Sequence, residues 1–176
     1  WSEQDSAVIC AGWSREFVSQ VTEYIIMDSL SSQFEGDFVE MGRLAHLESG
    51  FADKIEYDPE RLLSVARNYA RDDNKFLVVA VDGGRAVGVF AGHLSEIYFS
   101  SAKLARDVLW YVLEEYRVGG IGLELLARFE SWAEYRDAKM VYVSQDSGIH
   151  TDKFTKSMNR RGYDFVGSNY TLGVSG

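Results

Sequence analysis

Three glycines within four residues, Gly119-Gly120-Ile121-Gly122, follow the apolar run Trp110 to Leu113 and precede a helical pattern. A glycine turn joining a strand to a helix can hold a phosphate. Glycine lets the backbone turn tightly and approach a ligand. The first amides of the following helix have no internal acceptors. The aligned peptide dipoles add partial positive charge at the same point, so a pyrophosphate can bind without a dedicated lysine.

Two common phosphate loops do not fit. No Lys-Ser or Lys-Thr pair follows Gly122, which excludes the NTPase P-loop. The dinucleotide fingerprint requires Gly-x-Gly-x-x-Gly near the start of a βαβ repeat, and the spacing and late position here differ from it.

Arg117-Val118-Gly119-Gly120-Ile121-Gly122 resembles the coenzyme A pyrophosphate loop of GNAT-type N-acetyltransferases: Arg or Gln, two residues of any type, Gly, any residue, then Gly or Ala. The run before it, Val112-Leu113-Glu114-Glu115-Tyr116-Arg117, follows that superfamily's Val-x-Pro-Glu-Tyr-Arg-like lead-in, with Glu114 where proline is usual. Without that context, the same glycines read as a plain strand-to-helix connection.

The elements that must position this loop are legible along the chain. Tyr24-Ile25-Ile26-Met27 suits a buried strand or part of a helix begun at Phe17, and the resemblance selects the strand. Asp37 and Glu40 read as a capping box opening a helix that ends at Gly50, with Phe38, Met41 and Ala45 on one face. Asp58-Pro59-Glu60 opens a second helix carrying Leu62, Leu63, Ala66 and Tyr69. Phe76 to Val81, the turn Asp82-Gly83-Gly84 and Ala86 to Leu94 predict a hairpin, and Val108 to Leu113 a further strand. Leu125, Leu126, Phe129, Trp132 and Ala133 mark the helix after the loop. Met140 to Val143 reads as a strand and Thr151 to Arg161 as a helix closed by Gly162. Phe165-Val166 and Tyr170, Leu172 and Val174 read as terminal strands. The expected fold is α/β (α+β), a mixed and mostly antiparallel sheet flanked by helices. This is the GNAT order of elements, over residues 21–176, with residues 1–20 as an extension outside the shared domain.

Composition sets the bounds. With 176 residues, 46% hydrophobic and 14% aromatic, one domain with a sizeable core is expected. No apolar run is long enough for a bilayer and no basic-then-apolar leader opens the sequence, so a cytoplasmic protein without membrane partners is expected. Cys10 alone supports neither a disulfide framework nor a cysteine-based zinc site, and no metal site is expected. The net charge of −9 argues against nucleic-acid binding and suits a cationic acceptor, although an acidic surface also serves solubility alone.

Acetyl transfer from a thioester to an amine requires a neutral amine, a donor for the developing oxyanion and a proton for the leaving thiolate. The resemblance implies acetyl-coenzyme A (acetyl-CoA) as donor, its pantetheine arm meeting the backbone of Tyr111, Val112 and Leu113. Its pyrophosphate would be held by amides of Val118, Gly120, Ile121, Gly122 and Leu123, within the Arg117 and Gly119 pattern. Lys153 and Lys156, with Arg160 and Arg161, fall where the superfamily places the nucleotide end, and they equally suit a solvated helix face. Candidates for the base are Glu115 beside the loop, with Glu114, Asp107 and Glu96 as further carboxylates, and His93, whose ordinary pKa is near neutral. Each of these also has a plain surface or structural reading. The superfamily's leaving-group tyrosine has Met158 in its place here. Tyr142 or Ser157 could substitute, the thiolate could leave unassisted, or the protein could bind coenzyme A without rapid turnover. His46, Glu48, Phe51 and Tyr57 are candidates for an aromatic, acidic pocket taking a small-molecule or protein amine, with a homodimer as a further assembly to test. Two readings therefore stand: an N-acetyltransferase, and an interaction module that keeps the fold.

Overall fold

The computed structural model describes residues 22–145, 151–170 and 172. The expected extension over residues 1–20, Cys10 within it, and Val174 lie outside the described residues. Strand β1 (Glu23–Ile26) leads into helices α1 (Ser32–Glu48) and α2 (Pro59–Arg71). Strands β2 (Lys75–Asp82), β3 (Arg85–Ile97) and β4 (Ser100–Val112) follow. A 3-10 turn (Glu114–Tyr116) precedes α3 (Ile121–Tyr135), β5 (Met140–Tyr142) and α4 (Thr151–Arg160). The five strands form one sheet in the order β1-β2-β3-β4-β5, antiparallel throughout except for the β4–β5 pair.

Gly83 and Gly84 turn β2 into β3 with φ of 55° and 82°, the paired positive values of the two-residue turn that matches strand twist. β2 and the first half of β3 are almost wholly buried, because helices cover both faces. Alternation sends Phe76 and Phe90 to one face, where their rings meet Phe129 of α3 at 5.7 and 4.6 Å. α1 lies over the other face, where Tyr111 reaches Glu48. β4 takes an extra residue at Val108, since Ala91 pairs with Leu109 and Gly92 with Asp107.

Several boundaries differ from expectation. α1 begins at Ser32, and Asp37 lies inside it rather than capping it. Its carboxylate accepts the Ala86 N–H at 2.8 Å and faces Arg85 at 3.8 Å, so its polarity ties α1 to the β2–β3 hairpin. Asp58 does cap α2, accepting the Arg61 N–H at 2.9 Å with Pro59 in the first turn. β3 and β4 run past the expected ends to a tip at the exposed Tyr98 and Phe99. Residues 163–170 form no strand, and Phe165, Val166, Tyr170 and Leu172 are exposed. Strand formation rests on cross-strand packing, and among the described residues none pairs with the far edge of β5. No helix among the described residues is long and apolar enough to cross a membrane.

Gly92 marks the closest approach of β3 to α3. A Cβ there would lie 2.4 Å from the fully buried Phe129 ring and 2.7 Å from the Arg106 carbonyl oxygen. Gly92→Ala is therefore expected to destabilise by about 1–3 kcal/mol through overpacking. Gly36→Ala, inside α1 with nothing within 4 Å, should stabilise by up to about 1 kcal/mol. Urea unfolding of both variants checks the pair.

Candidate active site

β4 and β5 stay together for only three residue pairs, Leu104 with Met140, Ala105 with Val141 and Arg106 with Tyr142. They then part. At the fork, the Asp107 carboxylate accepts the Ser144 N–H at 3.0 Å and its hydroxyl at 3.2 Å. Beyond it, among the described residues, none forms a strand alongside 108–112 of β4 on that edge, which opens into a cleft of about 500 Å³. The cleft runs between Glu48, Ser49 and Phe51 at the end of α1 and Ser144, Gln145 and Phe154 across the fork. Trp110 and Tyr111 point to opposite faces of the sheet. Trp110 meets Phe154 at 5.8 Å, and Tyr111 donates to Glu48 at 2.7 Å.

At its other end the cleft reaches Arg117 and Gly122. Gly120 caps α3 with φ 83° and ψ 0°, a left-handed conformation that aims the first-turn amides of Ile121, Gly122 and Leu123 out of the helix. A Cβ on Gly119 or Gly120 would meet nothing within 4 Å, and one on Gly122 would touch Trp110 at 3.4 Å. The helix start is thus open to an anion that lies against the β4 edge.

Arg117 is turned inward. Its Nε donates to the Val112 carbonyl at 2.9 Å, its Nη2 reaches Glu48 at 2.6 Å, and its guanidinium lies 5.2 Å from the Tyr111 ring centre. Burial, then the hydrogen bond to Glu48, raise the Tyr111 pKa above its ordinary value, so the phenol keeps its proton and donates it to Glu48. Arg117, Glu48 and Tyr111 form one network binding the end of α1 to the end of β4.

The residues singled out from sequence separate clearly. Tyr111, Val112, Arg117, Gly122, Glu48 and Phe51 line the cleft. Leu113 is buried beneath it, and Val118, Gly119, Gly120, Ile121 and Leu123 form the loop and first turn beside it. Glu115 sits exposed on the 3-10 turn, outside the lining. His46 contacts the Ile55 carbonyl through Nε2 at 2.6 Å, and Tyr57 donates to the Val39 carbonyl at 2.8 Å. Their rings lie 5.8 Å apart, so both brace the α1–α2 connection instead of lining the cleft. Tyr142 lines a neighbouring cavity with the Arg106 guanidinium 4.9 Å from its ring centre. Lys153 and Lys156 are exposed on α4 and line neither space. Arg161 is paired with Glu130, and Met158 is buried in the core. Trp110, Ser144, Gln145 and Phe154 escaped the sequence reading. The Val108 bulge and the short β5 that set them around the cleft leave no signature of residue type.

His93 is also away from the cleft. It pairs with Arg106 and Lys75 in the sheet register, and its Nδ1 meets the Tyr69 hydroxyl at 3.2 Å. Burial first, then Arg106 and Lys75, hold its pKa below the ordinary 6.5. As pH falls through that ordinary value, the unfolded chain takes up the proton before the native one does. The stability present above it is lost progressively down to the depressed native value. His93→Gln should therefore flatten the fall in urea midpoint between about pH 7.5 and pH 5.5. An unchanged slope would show that His93 contributes nothing to it.

A mixed sheet forked between a long antiparallel strand and a short parallel one, with a glycine-capped helix start at the open edge, defines the GNAT class of acetyltransferase fold. The model of the acetyltransferase (GNAT) family matches residues 38–157, and the chain belongs to that family. Comparison with curated protein sequences gives no match. Among solved structures, the chain is similar to a transcriptional regulator from Bacillus halodurans (15% identity, TM-score 0.67, 86% of this chain and 98% of that one). It is also similar to AAC(6')-Iy in complex with a bisubstrate analog, CoA-S-monomethyl-acetylneamine (10% identity, TM-score 0.66, 86% and 96%). The aminoglycoside 6'-N-acetyltransferase AAC(6')-IG from Acinetobacter haemolyticus is a third (10%, TM-score 0.61, 87% and 98%). At these identities the likeness is one of fold.

Proposed function

We propose that this chain is an N-acetyltransferase that moves an acetyl group from acetyl-CoA to a primary amine of a small molecule or protein, in a cytoplasmic setting. The observation that carries the reading is the continuity of the unpaired β4 edge with the glycine-capped start of α3. A donor with a pyrophosphate at one end and an amide-bearing arm fits such a surface. The amides of Ile121, Gly122 and Leu123 would take the phosphates, and the edge of residues 108–112 would pair with the arm. Pantetheine amides hydrogen-bond a free strand edge as another strand does.

In the reaction the amine nitrogen bonds to the thioester carbon, the C–S bond breaks, the nitrogen gives up a proton and the thiolate gains one. Edge amides of β4 can stabilise the oxyanion. Glu48 and Asp107 are the carboxylates on the cleft wall, and either can take the amine proton through water. Ser144 and Tyr142 bring hydroxyls to the fork end, Ser144 lining both spaces and Tyr142 the neighbouring cavity. The second reading, a domain that binds coenzyme A without turnover, draws on one observation: the buried Met158 can supply no proton.

Acetyl-CoA is expected to raise the thermal midpoint, since a ligand of the native state alone stabilises it. Gly120→Asp should weaken coenzyme affinity at least about tenfold with the fold retained, because Asp tolerates the left-handed conformation while its charge repels phosphate. Arg117→Ala should cost stability more than affinity, since its guanidinium serves Glu48 and Val112. An unshifted midpoint with acetyl-CoA, or full affinity in Gly120→Asp, would move the coenzyme site elsewhere.

The two readings separate on thiol release. If Tyr142 protonates the thiolate, Tyr142→Phe should lower kcat by about a hundredfold with coenzyme binding unchanged. Met158→Tyr should raise turnover only if its ring leaves the core for the cleft. Parental rates in both variants would assign transfer to positioning and a good leaving group.

A further inference from the structure

Resting on the acetyl-transfer reading, we infer that the acceptor is a monoamine with an uncharged, apolar or aromatic body, and not a polycation. The inference comes from a second cavity of about 390 Å³ between the fork and α4. It shares Phe51, Ser144, Gln145 and Phe154 with the cleft, so the two spaces meet at one wall. A donor arm laid along β4 from the glycine loop brings its acyl end to that wall. The first space is then filled by the donor, and the amine must arrive through the second.

The walls of the second cavity decide what can enter. Val143, Met158, Phe165 and Val166 give it an apolar lining beyond the two shared phenylalanines. Nine further side chains, from Tyr142 at the fork to Asn169, add hydroxyl and amide groups, all of them neutral. Asp164 is the one charged side chain in the lining among the described residues. Neutral oxygen acceptors replace part of the hydration of an ammonium group taken out of water, but its charge is balanced only by a carboxylate.

Among the described residues, the carboxylates of the adjoining cleft already have partners. Glu48 is held by Arg117 and by the Tyr111 hydroxyl, and Asp107 accepts both the N–H and the hydroxyl of Ser144. A guest with three or four ammonium groups would leave most of them unmatched. A monoamine needs only its attacking nitrogen, in neutral form, at the shared wall. Its body can lie against Phe51 and Phe154. The acidity of the whole chain therefore does not describe its pocket.

Thiol release by the full chain at saturating acetyl-CoA, with 2-phenylethylamine, spermine and kanamycin as acceptors, tests this. The expected kcat/KM for 2-phenylethylamine exceeds that for either polycation by at least about tenfold. Phe165→Ala, in the lining of the second cavity and outside that of the first, should raise the KM for 2-phenylethylamine several-fold without changing the acetyl-CoA thermal shift. Asn159→Asp, on the exposed side of α4, should move the preference toward spermine. Kanamycin or spermine serving as well as the monoamine would overturn the acceptor class while leaving acetyl transfer standing. Thiol release with none of the three overturns it as well, and the acetyl-CoA shift measured beside it separates that failure from loss of the coenzyme site.

Discussion

Backbone groups on a strand edge must find partners or face water, and this structure turns on leaving one such edge open in the middle of a sheet. β4 runs for thirteen residues, but β5 accompanies it for three pairs. The strands are forced apart where Asp107 binds Ser144 and where Val108 bulges. A free edge at a sheet margin invites aggregation. Here it lies within a cleft between α1 and α4, so only an extended guest of limited width can reach it. The helix that follows is fixed by the contact of Phe76 and Phe90 with Phe129, which holds the N-terminus of α3 beside the same edge.

The electrostatics follow from that geometry. A chain of net charge −9 would repel a polyanionic ligand at long range, and among the described residues no lysine or unpaired arginine lines the cleft. Attraction must be local. The first-turn amides of α3 and the helix dipole supply it over a few ångströms, where side-chain charges elsewhere are screened. Arg117, on the cleft wall, is committed to Glu48 and balances that carboxylate's charge. The same pair, with the Tyr111 hydroxyl, joins the end of α1 to the loop, so movement at one is felt at the other.

What could be read from the sequence was whatever a local rule dictates. Gly83-Gly84, the Asp58-Pro59 helix start and the glycine loop each satisfy a backbone requirement within a few residues, and each lies where expected. Asp37 misled because its spacing to Glu40 suits a cap, while its carboxylate serves a hairpin 49 residues away. Phe165 and Val166 misled because apolar residues suggest a strand only if an edge receives them. The first half of β4 was missed, since Ser100, Lys103 and Arg106 interrupt any alternation, and its pairing with β3 comes from register alone. His46, Tyr57 and His93 carry chemistry by type, yet each is committed to a structural hydrogen bond. The cleft was legible only as far as its backbone signature. Trp110, Ser144 and Phe154 reach it through a bulge and a fork that no spacing rule announces.

The missing tyrosine in α4 bears on how such a site can work. A proton donor contributes when it touches the leaving sulfur in the transition state, and a buried thioether at position 158 cannot. Tyr111 is no substitute, because its hydroxyl already donates to Glu48 and its raised pKa makes that proton harder to give. Ser144 is tied to Asp107. With its nearest hydroxyls held in this way, the cleft is better built to align two reactants than to shuttle protons. Alignment alone is worth much of a barrier when a free edge fixes one partner and an aromatic wall the other. A thioester, whose thiolate leaves readily, is a donor for which alignment can suffice.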